Sequence, residues 1–227
     1  MPAPTTMTTQ TTQSTQTTLT ASRDYFAALY ERSDDPWRIA GNWYEQRKRS
    51  LIMAMLPRGR FRHAFEPACG SGELTVDLGR RCDRILAGDF AQAAVDIAHE
   101  RWQQASISRR TECVARFACM AVPHQWPAKL GGVFDLIVIS EFAYYLDDEA
   151  LRALPVLVNA SLAPDGVLVL CHWKRDFAQR RHRTADIHQG FENVPDWHHA
   201  ARYEDADFLL DLWSREKQSL AELAELI

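Results

Sequence analysis

Short apolar runs recur along the middle of the chain at 61–66, 83–89, 112–118, 134–140 and 166–173, reading FRHAFE, DRILAGD, ECVARFA, FDLIVIS and GVLVLCHW. Each has the length of a strand. Between most of them lie stretches of helical character, at 73–81, 91–104 and 147–162. The last ends at LAPDG, where Pro164 and Gly166 favour a turn. Apolar strands alternating with amphipathic helices predict a mostly parallel sheet covered on both faces. The segment ARYEDADFLLDLWSR, 201–215, breaks this rhythm and reads as two short strands close together, a hairpin rather than another crossover.

Upstream, Tyr25, Phe26, Leu29 and Tyr30 share a helical face, and a second helix is predicted over 43–56, ended by Pro57 and Gly59. Residues 1–20 are nearly all Thr, Gln and Ser with no apolar period, so they are expected to form a disordered tail. The expected organisation is a tail over 1–20 and a single domain over 21–227. Within the domain, a helical lid covers 21–57, the sheet 58–215 and a C-terminal helix 216–227.

At 227 residues, with 46% hydrophobic and 25% charged positions, the chain can bury one good core. Its formal charge of -4 argues against broad affinity for nucleic acid or anionic lipid. No apolar segment reaches the roughly 20 residues of a membrane span, and the start lacks a signal-peptide pattern. Five cysteines without CxxC spacing fit reduced thiols, and the expected location is the cytoplasm. A monomer or homodimer is expected. The histidines show neither HExxH nor Cys/His spacing, so no metal is expected.

The chemistry concentrates where the first strand ends, at EPACGSG. In an open parallel sheet, ligands bind beyond the C-terminal strand ends where the strand order reverses. Ala68, Gly70 and Gly72, spaced two apart, let backbone approach a ligand closely. Asp89 ends the second strand, 23 positions after Glu66, where an acid accepts hydrogen bonds from both hydroxyls of a ribose. A dinucleotide fingerprint fails at its third small position, which is Thr75. Glu66 would repel a pyrophosphate and suit a cation such as an amino group. A ligand with ribose, adenine and an amino-acid end, and no phosphate, is S-adenosylmethionine.

EPACGSG followed by GD, then FDLIVISE and LAPDGVLVL, resembles the class I SAM-dependent methyltransferases in motif order and spacing over about residues 61–215. The resemblance implies a Rossmann-like, seven-stranded α/β sheet of order 3-2-1-4-5-7-6, its last strand antiparallel, with helices on both faces. More narrowly, DDPWRIAGNWYEQRKR, SEFAYYL and CHW resemble the nodulation protein S group of N-methyltransferases. That implies a small-molecule acceptor, an amino group on a sugar of a chito-oligosaccharide type. Glu66, Ala68, Gly70 and Gly72 match the first cofactor motif, and Asp89 the ribose-binding acid. Ala68 stands where the family usually has glycine. The acid that often follows the third strand is missing from FACMAVPHQWP, which leaves backbone near Met120 or Ala121 for adenine, with Phe90 to pack on its face.

Methyl transfer needs an aligned nucleophile and a place for a proton. The ends of the fourth and fifth strands offer Ser140, Glu141, Tyr144, Tyr145, His172 and Trp173. Glu141 can hold a substrate ammonium or hydroxyl, and His172 has the intrinsic pKa of a proton acceptor near neutrality. Aromatic faces, Tyr145 among them, can stabilise a cation. Tyr144 and Tyr145 are expected to start a helix, one of them as core packing. Ser140 is assigned to the cofactor side, as are Trp37 and Tyr44 if their helix forms a lid. The bland alternative for that helix is packing on the sheet with a solvated basic face. Asp135, at the far end of its strand, is structural. KRDFAQRRHR, 174–183, reads as a solvated loop or a grip on an anionic substrate, and His188 is a weaker site candidate. The acceptor atom, nitrogen or oxygen, stays open. The competing classes are a nicotinamide-dependent oxidoreductase and a non-catalytic SAM-binding module.

Overall fold

The apolar runs become the strands of one sheet. A computed structural model describes residues 25–109, 112–127, 133–217 and 219–223. The expected tail over 1–20 lies outside the described residues, as does the end of the expected C-terminal helix, of which Leu220–Leu223 (α7) is described. A helix over 25–32 (α1) and α2 (Trp43–Met55) precede the sheet. There follow β1 (Ala64–Pro67), α3 (Glu73–Leu78), β2 (Arg84–Asp89), α4 (Gln92–Arg109), β3 (Val114–Cys119) and β4 (Phe134–Ser140). A 3-10 turn, Ala143–Tyr145, leads to α5 (Asp148–Ser161), β5 (Leu162–Trp173), α6 (Thr184–Gln189), β6 (His198–Glu204) and β7 (Phe208–Ser214). The strand order is β3-β2-β1-β4-β5-β7-β6, with β1 to β5 parallel and β7 antiparallel to both neighbours. This is the order that the resemblance implied.

Side chains alternate across the strands and feed two cores. Ala64, Leu136, Val138, Val169 and Leu210 face Ile52, Leu78 and Trp102 of α2, α3 and α4. Phe65, Ile137, Ile139, Leu168 and Leu170 face Leu154, Val158 and Ile187 on α5 and α6. The central β1 and most of β4 are buried on both sides, which is why they read as unbroken apolar runs. Among the described residues no helix is long and apolar enough to cross a membrane.

Several boundaries move for physical reasons. β1 begins at Ala64, later than the run from 61, because Asp135 takes the N–H groups of Arg62 and His63 at 2.8 Å each. That is the structural duty expected of Asp135. The LAPDG turn survives as a register shift inside β5: Phe134 pairs with Leu162 and Leu136 with Val167, so the intervening residues loop out. α4 runs past 104 to Arg109.

The chain adds β2 and β3 on one side of β1, then returns to place β4 on the other. The C-terminal ends of β1, β2, β4 and β5 therefore share one edge of the sheet, with the reversal between β1 and β4.

Candidate cofactor and acceptor site

After β1 the backbone turns through three left-handed positions, Ala68 (φ 57°), Gly70 (φ 54°) and Gly72 (φ 82°). The two glycines serve different ends. A Cβ on Gly72 would lie 2.8 Å from the Cβ of Ala98, so its bareness lets α3 close on α4. A Cβ on Gly70 would meet only the Tyr30 hydroxyl, 3.4 Å away, among the described residues. Gly70 is thus the position where bare backbone faces outward. Ala68 carries a methyl in a conformation that costs an L-residue about 1–2 kcal/mol.

Asp89 ties this loop to the second strand. Its carboxylate accepts from the N–H of Gly70 and of Ala91, both at 3.0 Å. Burial pushes its pKa up to about 6, against the pull of those N–H bonds. Glu66 is only 3% exposed and accepts a 2.6 Å bond from the Thr75 hydroxyl. Burial raises its pKa to about 8, the Thr75 bond opposing, and among the described residues no cation pairs with it. The sequence reading took Glu66 as an ionised carboxylate. Without a cationic ligand, the buried site instead favours the neutral acid.

Aromatic rings cover the cradle. Phe26 of α1 packs edge-on to Phe90 (5.1 Å) and to Tyr145 (5.0 Å), and tilted against Trp37 (6.0 Å). Tyr30, not Trp37, reaches Gly70; Trp37 lies behind it at 5.7 Å and is 41% exposed. Nothing in the sequence marked Tyr30 or Phe26 beyond an apolar helical face. Tyr44 does not reach the cradle. It packs on Trp173 and Phe208, at the β5 and β7 side of the sheet, because α2 docks there. Tyr44 is thus set against Trp173 and Phe208, while Trp37 stays beside the rings that cover the cradle.

α2 packs on the sheet, as the alternative to a lid had it, but its basic face is not solvated. Lys48 and Arg49 are 5% and 8% exposed. Arg49 pairs with Asp77 (3.1 Å) and bonds the Ile39 carbonyl (3.0 Å). Lys48 bonds Glu45 and Glu141, each carboxylate 2.9 Å away. Burial opposes the Lys48 charge, yet Glu141 and Glu45 outweigh it and hold the ammonium above its ordinary pKa. The Arg180 guanidinium is likewise sequestered, bonding the carbonyls of Lys174, Arg175 and His182 and the Thr184 hydroxyl, so KRDFAQRRHR is a stapled loop.

At the end of β4, Glu141 adopts φ 60°, and its carboxylate is engaged three ways: Lys48, the Tyr144 hydroxyl at 2.6 Å and the Trp173 N–H at 3.2 Å. It is an anchored acceptor rather than a free one. Tyr144 is the buried member of its pair, and both tyrosines sit in the 3-10 turn rather than at the start of α5. Tyr145 stacks among Phe26, Tyr144 and Phe177. Ser140 pairs in register with Cys171 beside β5. His172 is fully buried and bonds His188 at 3.0 Å, so it does not stand open at a strand end. His188 in turn bonds Asp211 at 2.7 Å. Asp211 was missed, although a lone acid inside FLLDLW is a readable anomaly.

A family model described as Nodulation protein S (NodS) matches residues 26–190. Nodulation protein S of Rhizobium tropici is 32% identical over 140 residues, covering 60% of this chain and 54% of that protein. The chain thus spans about half the length of that curated relative. A solved structure of a candidate methyltransferase from Pseudomonas syringae is 40% identical, with a TM-score of 0.60, covering 76% of this chain and 99% of that one. The N-methyltransferase NodS of Bradyrhizobium japonicum, solved with S-adenosyl-L-homocysteine, matches with a TM-score of 0.70 at 22% identity, over 85% of this chain and 97% of that one.

Proposed function

The chain belongs to the nodulation protein S family, and on that premise we propose that it transfers a methyl group from S-adenosylmethionine to an amine nitrogen of a small, sugar-like acceptor. The observation that carries this reading is the cradle. Outward-facing backbone at Gly70, a buried and oriented acid at Asp89 and a buried acid without a cation at Glu66 together suit a nucleoside that ends in an amino acid. Thr75, which fills the third small position of a dinucleotide fingerprint and bonds Glu66, counts against the nicotinamide alternative.

When bound, S-adenosylmethionine supplies an already activated methyl group. The chain's residues do the rest. Asp89 would hold the ribose hydroxyls with lone pairs that its two N–H bonds leave free, and Glu66 would receive the amino group. Phe90 and the backbone beside Met120 would take the adenine. On the acceptor side, Glu141 is fixed by Lys48, Tyr144 and Trp173, so it orients a substrate N–H or O–H without reorganising. Tyr145 and Trp173 offer ring faces to a cation. His172 serves as the proton acceptor.

Calorimetric titration with S-adenosylhomocysteine, with NADH as control, tests the cofactor reading. Micromolar binding of the sulfur nucleoside alone is expected; binding of NADH alone overturns it. Transfer of labelled methyl from S-adenosylmethionine to glucosamine oligomers with a free amine then separates an enzyme from a binding module.

A further inference from the structure

Three buried polar side chains line up on the α5 and α6 face of the sheet. Asp211 of β7, His188 of α6 and His172 of β5 are each at most 1% exposed. Asp211 Oδ2 lies 2.7 Å from His188 Nδ1, and His188 Nε2 lies 3.0 Å from His172 Nδ1. His172 Nε2 is buried and has no hydrogen-bond partner among the described residues. Asp211 is held by Arg202 at both oxygens (2.7 and 3.0 Å) and by His199 at 2.8 Å. Burial opposes its charge, but the bonds from His188 and Arg202 outweigh this and keep it an anion.

Counting protons fixes the tautomers. A carboxylate only accepts, so a neutral His188 carries its proton at Nδ1 and a lone pair at Nε2. The bond to His172 then requires the His172 proton at Nδ1. His172 Nε2 is left as an unpaired, buried lone pair among the described residues, an arrangement that structures avoid unless a donor arrives.

Resting on the methyl-transfer reading above, we propose that Asp211 and His188 are positioning residues that hold His172 as its Nδ1–H tautomer, so that Nε2 takes the proton released by the acceptor amine. The N–H bond of the methylated ammonium breaks and its proton moves to Nε2 of His172. The Nδ1 proton of His172 passes to Nε2 of His188. The charge comes to rest on a His188 imidazolium against Asp211. Burial and the cations around His172 explain the need for this second histidine. A charged His188 on α6, Lys48 from α2 and Arg180 from the loop after β5 all oppose a charge on His172 and Asp211 favours it, while Tyr144, from the 3-10 turn, presents its ring 5.6 Å away and a hydroxyl bonded to Glu141. The relay moves the charge from beside two cations to beside a carboxylate. The Tyr144 ring is what links His172 to Glu141 on the acceptor side.

Long-range proton–nitrogen NMR of the full chain with nitrogen-labelled histidine tests this without any acceptor. Near neutral pH, His172 is expected with Nδ1 protonated and Nε2 bare. On acidification, one proton should convert it to Nε2–H as His188 gains its second proton. In His188→Gln, which removes the resting place for the charge, His172 should take up its proton at a pH about one unit lower or more. An Nε2–H tautomer near neutrality in the unaltered chain overturns the proposal, as does a His172 titration that His188→Gln leaves unmoved. Titration with S-adenosylhomocysteine in parallel keeps the two readings apart, because its failure strikes the cofactor reading and leaves the tautomer result standing.

Discussion

Replacing Glu66 by glutamine changes one proton and almost no volume, so it isolates what the buried carboxyl contributes to ligand binding. Burial holds that carboxyl at about 8, against an ordinary 4.5, while Thr75 donates to it. At pH 7 a group with that pKa is protonated in about nine molecules of ten. The difference between 8 and 4.5 corresponds to about 5 kcal/mol between the two forms. An ammonium delivered beside it reverses the balance, and binding must expel close to one proton. Titrating S-adenosylhomocysteine at pH 7 in two buffers of different ionisation enthalpy counts that proton. More than half a proton is expected from the unaltered chain and almost none from Glu66→Gln, whose affinity should fall by about ten- to a hundredfold. Stability carries the same signature. Above 4.5 the unfolded chain gives up this proton, while the folded protein keeps it up to about 8. The contribution is therefore fully present below 4.5 and is lost as pH rises through 8. Asp89, raised to about 6, adds a similar decline at lower pH in both proteins. Equal proton release from the two proteins, or a stability decline between pH 6 and 8 that survives Glu66→Gln, would refute the reasoning.

Three further perturbations follow from the loop and from α2. Ala68→Gly relieves the methyl at φ 57° and should raise Tm by about 2 °C in a thermal melt, even after the entropy glycine adds to the unfolded chain. Gly72→Ala does the reverse: its Cβ meets Ala98 at 2.8 Å with φ at 82°, and denaturant titration should show a loss of about 2–4 kcal/mol. Lys48→Met strips the ammonium from Glu141 and should cost about 2–4 kcal/mol by the same assay, whereas a surface ion pair would cost under about 1.

The sheet was legible because its signals are local. Unbroken apolar runs at 134–140 and 166–173 mark strands buried on both faces, and the hairpin at 201–215 shows in its changed rhythm. The cradle was legible because left-handed backbone and close approach leave small residues at fixed spacing, as at Gly70 and Gly72. Charge states were not, because they depend on burial: Glu66 reads as an anion and folds into a site that favours the acid. Partners distant in sequence were equally hidden. No spacing rule joins Lys48 to Glu141 or His188 to Asp211, and EQRKR looks like a solvated face until the sheet is in place beneath it. Where Tyr44 lands is hidden for the same reason, since its direction depends on where α2 docks.

The Lys48–Glu141 pair also bears on how the chain assembles. The two residues are 93 positions apart, and the ammonium is too deeply buried to be left unpaired. α2 is made early in synthesis, yet it cannot seat until β4 has formed and turned Glu141 toward it. Its docking is a late, long-range step that waits on the centre of the sheet. One ion pair thus ties the seating of α2 to the end of β4, and any opening of α2 from the sheet breaks it.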